Sequence, residues 1–585
     1  MSSYEFNLPC KSFTNCGGDV YKELSQAWEE LTAEGSQFEL EEVNVRGIDL
    51  LCYKNQPATL RDFWLSSLRF GNADYLVYGD ERISYAEAHE HVASIANWFI
   101  ENGVQVGDRV AIAMRNYPEW MLAYWACMSI GAACVGMNAW WATPELEYAL
   151  NDSKPKVVIA DKERLEQLIE LRDSDAFPQL VGVRAETESA HVVEWDVLIE
   201  KGGEMPEIMV DPDSDACIFY TSGTTGRPKG AQLTHRGCVA NAMSLAFAHI
   251  VQSVATSRAR VTSTKLPAKD VSQTSALVIT PLFHVTANNC VAHSITMAGG
   301  KLVHMYKWDA GEALKLVESE QITTISGVPV MSRELIAHPD FEGTDTSSLK
   351  SLGGGGAQLQ PDLVEKIEAT VETARPGTGY GMTETCGIIT AISADFFLDK
   401  PESAGPAMPC FEARCFDDNG VAVPDGEIGE LWVKGAQVIK GYLNRPDATS
   451  ETITEGWLHT GDIARIDEDG FIFIVDRKKD MVLRGGENVY CAEVESAIFK
   501  HDAVGEVSVF GVPDDRLGEE VAAAVYLKDG HSIDADLLRA FLEARIAKHK
   551  IPQYLWFLER PLPRNASGKF LKRELQETLN LKDAS

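Results

Sequence analysis

The stretch YTSGTTGRPKGAQLTH, Tyr220 to His235, decides how the rest of the chain is read. It follows the apolar run ACIFY, Ala216 to Tyr220, which predicts a buried strand. Between Thr221 and Gly230 lie four aliphatic hydroxyls, three glycines and Lys229. That mixture suits polyphosphate: glycines let backbone N–H groups approach the oxygens, hydroxyls donate, and the lysine adds a point charge. The familiar P-loop, however, needs G-x-x-x-x-G-K-[ST] between a strand and a helix. Here Gly223 is followed five positions later by Pro228, Lys229 precedes Gly230, and AQLTH predicts a second strand. Two readings stand on these residues alone: a phosphate cradle at the tip of a strand pair, without a helix dipole, or an exposed hairpin tip, where Gly, Ser and Thr are common.

The 585 residues, 45% hydrophobic and 24% charged, describe a soluble globular chain with room for more than one domain. Basic residues number 53 against 87 acidic, a formal charge of −34 that opposes nucleic acid and anionic membranes. An anionic nucleotide therefore needs a locally positive or amide-rich pocket. Twelve scattered cysteines without a C-x-x-C pair predict reduced thiols and a cytoplasmic protein. The segment MSSYEFNLPCKSF lacks the basic and apolar regions of a leader, so none is expected. Met121 to Thr143 carries no charge and is long enough to cross a bilayer, but Gly131, Gly136 and Asn138 interrupt it. A helix followed by a buried strand is expected there, with no transmembrane segment.

The first three quarters alternate helix and strand, the pattern of layered α/β domains. Ile83 to Met114, Leu146 to Asp161 and Ala313 to Pro329 each read as helix, break, strand. Later, IARI and FIFIVDR flank the Asp-Gly turn of Asp467 to Gly470 and predict an antiparallel pair. DRKKDMVLRGGENVY, Asp476 to Tyr490, reads as a hinge, and beyond it a compact α+β pattern follows. The expected division is therefore 1–478 and 479–585.

The opening motif is similar to the signature of the adenylate-forming superfamily, which includes acyl-CoA synthetases, aryl-CoA ligases, firefly-type luciferases and peptide-synthetase adenylation domains. In family order follow PLFH (Pro281 to His284), GGGGAQL (Gly353 to Leu359), GYGMTET (Gly379 to Thr385), GWLHTGD (Gly456 to Asp462), DRKKD (Asp476 to Asp480), GGENVYCAEVE (Gly485 to Glu495) and PRNASGKFLKREL (Pro563 to Leu575). The resemblance spans about residues 60 to 580. It implies a large layered N-terminal domain, made of two α/β subdomains and a small distorted β-barrel, with a small mobile α+β C-terminal domain.

The resemblance also implies the site. Thr221, Ser222, Gly223, Thr224, Thr225, Gly226 and Lys229 would hold the β- and γ-phosphates of ATP, with Thr221 and Glu384 meeting Mg²⁺. Thr383 would touch the α-phosphate, and Tyr380 would stack on adenine beside Gly381 and Met382, facing Gly355, Gly356 and Ala357. Asp462, supported by Arg477, would bind the ribose hydroxyls, and Lys569 would bridge the reacting carboxylate and α-phosphate. Rotation about Lys479 would then replace the Lys569 face with Gly485 and Gly486, which would admit the pantetheine arm of coenzyme A. From the residues alone, Asp462 could instead cap a turn, and Arg477, Lys479 and Lys569 could be ordinary surface charges.

The chemistry agrees with that cast. A carboxylic acid, with a pKa of about 4 to 4.5, is already ionised, so activation needs neutralisation and in-line positioning of two anions in place of a general base. Val278 to Gly300 contains no Lys or Arg, which favours a fatty or other apolar monocarboxylic acid. His284 resembles the residue beside the carboxylate, Ala287, Ala292 and Ala298 would leave room for a tail, and Asn288 and Asn289 would serve an oxygenated aromatic acid. A polar insert, Ser253 to Ser275, is expected as a loop near the acyl mouth. The expected function is an ATP-dependent acid–CoA ligase, and a homodimer is compatible with it. The alternatives are an aryl- or cinnamate-type ligase, a luciferase-like oxygenase, a ligase loading a carrier protein (DGHSI, Asp529 to Ile533, faintly echoes an attachment serine), and a non-catalytic nucleotide-binding protein.

Overall fold

The computed structural model describes residues 19–172, 177–221, 227–261, 265–485, 487–564 and 570–585. Ser222, Gly223, Thr224, Thr225, Gly226, Gly486 and Lys569 therefore lie outside the described residues. Packing divides the chain into two units, Met1–Glu412 with Val433–Leu458, and Ala413–Trp432 with His459–Ser585. The position expected to separate the domains, between 478 and 479, falls inside the second unit. Across that position the Asp476 carboxylate accepts a hydrogen bond from the Cys491 backbone N–H.

The first unit carries two sheets, as the alternating pattern predicts. One has seven strands, ordered Lys229–Thr234, Asp215–Thr221, Ala133–Gly136, Arg109–Ala113, Val157–Asp161, Gln179–Val183, Val192–Glu194. All neighbours are parallel except the first two, which form the antiparallel hairpin of the opening motif. The uncharged segment resolves into the helix Pro118–Ile130 and the strand Ala133–Gly136, both buried. Pro118 opens that helix, and Gly131, at φ 68°, closes it in the left-handed conformation that glycine tolerates. A different helix, His235–Arg258, is long and apolar enough to cross a membrane, and 67% of its apolar window is buried inside the protein.

The second sheet has eight strands, with Ser275–Val278, Thr324–Gly327, Ser351–Gly354 and Arg375–Met382 parallel to one another. PLFH, SGVP, GGGA and the GMTE turn consequently leave the C-terminal ends of these strands at one edge, where open parallel sheets bind ligands. The polar insert enters from the opposite edge. Its first part extends the helix to Arg258. The remainder docks where strands begin: Leu266 N–H donates to Glu372 O (3.1 Å) and Lys269 N–H to Ser347 O (2.8 Å). The expectation of a loop at the acyl mouth is overturned, because a segment that feeds into the start of the strand Ser275–Val278 must arrive at its N-terminal side.

In the second unit, residues 459–466 and the strand Phe471–Arg477 pair antiparallel around the expected turn. The sheet that follows comprises Val482–Arg484, Glu487–Val489, Val504–Asp514, Gly518–Leu527 and Tyr554–Leu558. The helices Cys491–Phe499 and Ala535–Glu543 supply Val494, Ile498, Leu538 and Leu542 to one core with Val507, Val509, Val521 and Val525. DGHSI lies in the loop before the second helix.

The insert is anchored by Lys265, whose ammonium donates to the carbonyls of Glu368 and Val371. Replacing Lys265 with Met should lower stability by about 1–3 kcal/mol in chemical denaturation, while the KM for acid stays unchanged; a raised KM would return the insert to the acyl mouth.

Candidate active site

The hairpin sets the starting geometry. Thr221 faces Lys229 and Tyr220 faces Gly230 across the pair, so the two expected phosphate and metal contacts stand side by side where the loop leaves the sheet. The Thr221 hydroxyl donates to Lys229 O at 3.5 Å. A Cβ on Gly230 would lie 2.9 Å from Ile218 Cγ2, so the glycine after Lys229 is required by packing. The outer edge of the hairpin is covered by residues 440–443. Lys440 N–H donates to Gln232 O (3.0 Å), Gln232 N–H to Gly441 O (2.9 Å), and Leu443 N–H to Gly230 O (2.8 Å).

That covering segment places Tyr442 between two expected site residues. The Tyr442 hydroxyl donates to Glu384 Oε1 at 2.7 Å, and Lys229 Nζ lies 4.1 Å from the centroid of the Tyr442 ring. Burial and the neighbouring Glu384 carboxylate push the Tyr442 phenol well above its ordinary pKa, so it stays a proton donor. Glu384 sits in the turn Thr383–Thr385, and its carbonyl accepts from Ile439 N–H (3.0 Å). Thr221, Lys229, Tyr442 and Glu384 thus form one chain of contacts at one end of the hairpin.

Mg²⁺ keeps several waters and takes one or two carboxylate or hydroxyl oxygens together with substrate phosphates. Thr221 and Glu384 offer hard oxygens of that kind, so the residues present fit the ion. Among the described residues there is no group of three or more His, Cys, Asp or Glu that could hold a metal ion.

The glycines of GGGGAQL divide by purpose. A Cβ on Gly353 would lie 1.9 Å from Gly377 O, and one on Gly354 1.7 Å from Gly327 O, so both are demanded by the sheet. Gly355 and Gly356 meet nothing closer than 3.1 Å, and Gly356 and Ala357 are exposed. The first pair builds the strand; of the second pair, Gly355 stands close to Gly379 O, and Gly356 has room beside it but a φ of 80° that favours glycine. Gly381 is another crowded position, 1.9 Å from Gly387 O if given a Cβ, whereas Tyr380, Met382 and Thr383 are half-buried beside it.

His284 is half-buried, its ring 4.8 Å from that of Phe283. Asn116 fixes the turn before it, accepting from Leu282 N–H (3.1 Å) and donating to Thr280 O (3.0 Å). The other acyl-site expectations in this segment are overturned. Asn288 and Asn289 are fully buried and engaged by protein: Asn288 donates to Asn289 Oδ1 (2.9 Å), and Asn289 to Cys386 O (2.9 Å). Asn241 completes the ladder, donating to Asn289 O (3.1 Å) and accepting from Ile388 N–H (2.9 Å). These amides brace the turn that carries Glu384 and have no surface left for a substrate. Ala287 and Ala292 are likewise packed shut, and Ala298 is on the surface.

In the second unit Asp462 and Arg477 face each other across the antiparallel pair, with Arg477 Nε 3.4 Å from Asp462 Oδ1. Asp462 is buried and Arg477 exposed. Lys479 is exposed, next to Lys478, which pairs with Glu430 (3.1 Å) and Asp418 (3.2 Å). Gly485 donates its N–H to Leu517 O (2.8 Å). Arg564 and Phe570, the described residues on either side of 565–569, form an isolated bridge. Of its basic neighbours, Lys572 pairs with Glu495 (2.9 Å) and Arg573 with Glu577 (2.7 Å). Tyr442 and the Asn241–Asn289 ladder were missed in the sequence, where Asn288 and Asn289 read as contacts for an oxygenated acid and Tyr442 carried no signal.

An α/β scaffold with a hydroxyl-rich hairpin, a lysine and a carboxylate converging on one sheet end defines a nucleotide-using enzyme. The chain belongs to the AMP-binding enzyme family, in its acyl-CoA synthetase branch: the model of the AMP-binding enzyme matches residues 63–443 and that of its C-terminal domain residues 493–569. Feruloyl-CoA synthase of Amycolatopsis sp is 37% identical over 501 residues, covering 85% of this chain and 94% of the relative. A long-chain-fatty-acid–CoA ligase of Bacillus subtilis is 32% identical over 540 residues, 88% of this chain and 93% of the relative. Among solved structures, ATP-bound MatB from Rhodopseudomonas palustris matches with TM-score 0.77 and 29% identity, over 89% of this chain and 99% of that one.

Asp476 carries the clearest titration in this region. Burial raises its carboxyl from the ordinary 3.8 to about 6, while Lys572 and the N–H groups of Arg477 and Cys491 pull downward. Between those values the folded chain holds a proton that the unfolded chain has released, so this group weakens folding as pH rises through the window. Asp476→Asn removes the titration. The variant's stability relative to wild type should climb between about pH 4 and 6, by up to ~3 kcal/mol, in paired thermal melts; a difference independent of pH would refute the assignment.

Proposed function

We propose that the protein is an ATP-dependent acid–CoA ligase acting on an apolar monocarboxylic acid. The carboxylate attacks the α-phosphorus of ATP, pyrophosphate leaves, and the acyl group then passes from AMP to the thiol of coenzyme A. The observation that supports this reading most directly is the convergence of Lys229 and Glu384 on Tyr442 beneath the hydroxyl-rich hairpin. Lys229 with residues 221–226 would grip the leaving pyrophosphate, and Thr383 the α-phosphate. Tyr380, Gly381, Met382, Gly355, Gly356 and Ala357 would enclose adenine. Asp462, held by Arg477, would take the ribose hydroxyls. Bound at Thr221 and Glu384, Mg²⁺ would neutralise phosphate charge. Lys569 would bring the two reacting anions together, and His284 would stand beside the carboxylate.

In the second step Lys569 has no further task and a thiol must reach the acyl group. Rotation about the exposed Lys479 would exchange the two faces of the C-terminal domain, bringing up Gly485 and Gly486 to pass the pantetheine arm. The division of the chain at 478/479 belongs to this reading as a hinge, distinct from the packing units. For the acid, the absence of Lys and Arg from Val278 to Gly300 argues for an uncharged tail, and a fatty chain and an aryl group satisfy that equally. The relatives named above differ on the same point, one being a feruloyl-CoA synthase and one a long-chain-fatty-acid–CoA ligase.

Pyrophosphate release measured with fatty acids, hydroxycinnamates and dicarboxylates, each with and without coenzyme A, tests the reading. Monocarboxylates of one apolar class should give release and thioester. Release without thioester would point to a carrier-protein acceptor, and no release with any acid to a non-catalytic nucleotide-binding protein. A Lys569→Ala variant should lose acyl-AMP formation by ~10²–10³-fold or more, while converting supplied acyl-AMP to thioester at near wild-type rate. Equal loss in both steps would defeat the two-conformation account.

A further inference from the structure

We infer that Tyr442 is a positioning residue that presets Lys229 and Glu384 together, so that nucleotide and Mg²⁺ meet an arrangement already formed. This rests on the reading of Lys229 and Glu384 given above. Three separate contacts meet at this one residue. Its backbone bridges Ala231 on the hairpin edge, its ring faces the Lys229 ammonium at 4.1 Å, and its hydroxyl donates to Glu384 Oε1 at 2.7 Å. The ring is buried, and the phenolic proton goes to Glu384 Oε1.

The choice of an aromatic partner has chemical content. A carboxylate beside Lys229 would neutralise it and compete with phosphate. A ring face holds an ammonium through its quadrupole and leaves the charge uncancelled, so the incoming phosphate sees a full positive charge whose side chain is already extended. On the other side, the phenol occupies one oxygen of Glu384 and fixes the plane of the carboxylate, aiming the second oxygen. Because both contacts share one rigid ring, Lys229 and Glu384 are set relative to each other, which separate supports would not achieve.

The test uses full-length protein with ATP and no acid, so nothing turns over, and binding is followed by calorimetry. Tyr442→Phe keeps the ring and removes the hydroxyl. It should bind ATP without Mg²⁺ within about twofold of wild type, while the Mg²⁺ concentration for half-saturation rises by ~5–20-fold. Tyr442→Leu should weaken ATP binding without Mg²⁺ as well, because the ring is gone. Tyr442→Phe added to Glu384→Gln should cost no more than Glu384→Gln alone, the mark of a shared route. An unchanged Mg²⁺ requirement in Tyr442→Phe, or additive losses in the double variant, would overturn the inference. Should Tyr442→Phe fail to fold, Tyr442→Met also removes the hydroxyl with a side chain of similar length, and a Mg²⁺ requirement equal to wild type would overturn it equally. Glu384→Gln binding Mg²⁺ and ATP as wild type does would instead strike the parent reading that Glu384 meets the ion.

Discussion

The outer edge of the strand Lys229–Thr234 is not left to water. Residues 440–443 hydrogen-bond along it, and that backbone docking is the constraint on which the proposed nucleotide end of the first unit depends. An open edge would be a liability for aggregation and a soft support for a loop. Covered, it gives residues 222–226 a fixed base at both stems, since Thr221 and Lys229 are paired neighbours. The same segment continues to Ile439, which holds the carbonyl of Glu384. One stretch of chain, far from the hairpin in sequence, therefore holds the hairpin strand and the carboxylate turn at once. Hydrogen bonds among backbone groups are suited to this, because they set strand register without needing a particular side chain.

Charge shapes the remainder. With 87 acidic and 53 basic residues, the protein works against its own field when it gathers anions, and several basic residues are engaged by carboxylates. Arg236 pairs with Asp213, Lys440 with Asp215, and Lys478 with two carboxylates. A lysine held on an aromatic face differs from these paired groups in keeping its charge uncancelled. Local presentation, and not net charge, governs attraction at contact distance, where screening and the distant field matter least.

Much of the architecture was legible because it is written in periodicity and punctuation. The alternation of helix and strand, the Pro118 and Gly131 that bound one helix, and the Asp-Gly turn before Phe471 are local signals, and the structure follows them. The hairpin was legible too, since AQLTH reads as a strand and not as a P-loop helix. What failed was inference about which way small and polar residues face. Asn288, Asn289, Ala287 and Ala292 sit at the expected place in the chain, but they lie in a π-helical turn whose wider winding turns them into protein. The insert was misplaced for a similar reason: sequence shows that it precedes a strand, whereas its side of the sheet follows from strand direction. Tyr442 was invisible because its three partners lie 58 to more than 200 positions away in the chain.

The ten described cysteines are all unpaired, nine of them buried and Cys290 half-buried. Most of these thiols are hidden among tightly packed atoms, and Cys491 donates its S–H to Asp480 O at 2.9 Å, just beyond Lys479. The molecule thus contains its own set of silent labels. A thiol-modifying reagent reaches each of them only as fast as the surrounding structure opens, so mass-resolved labelling would date the breathing of the two units separately, and Cys491 would keep time for the segment around the proposed pivot.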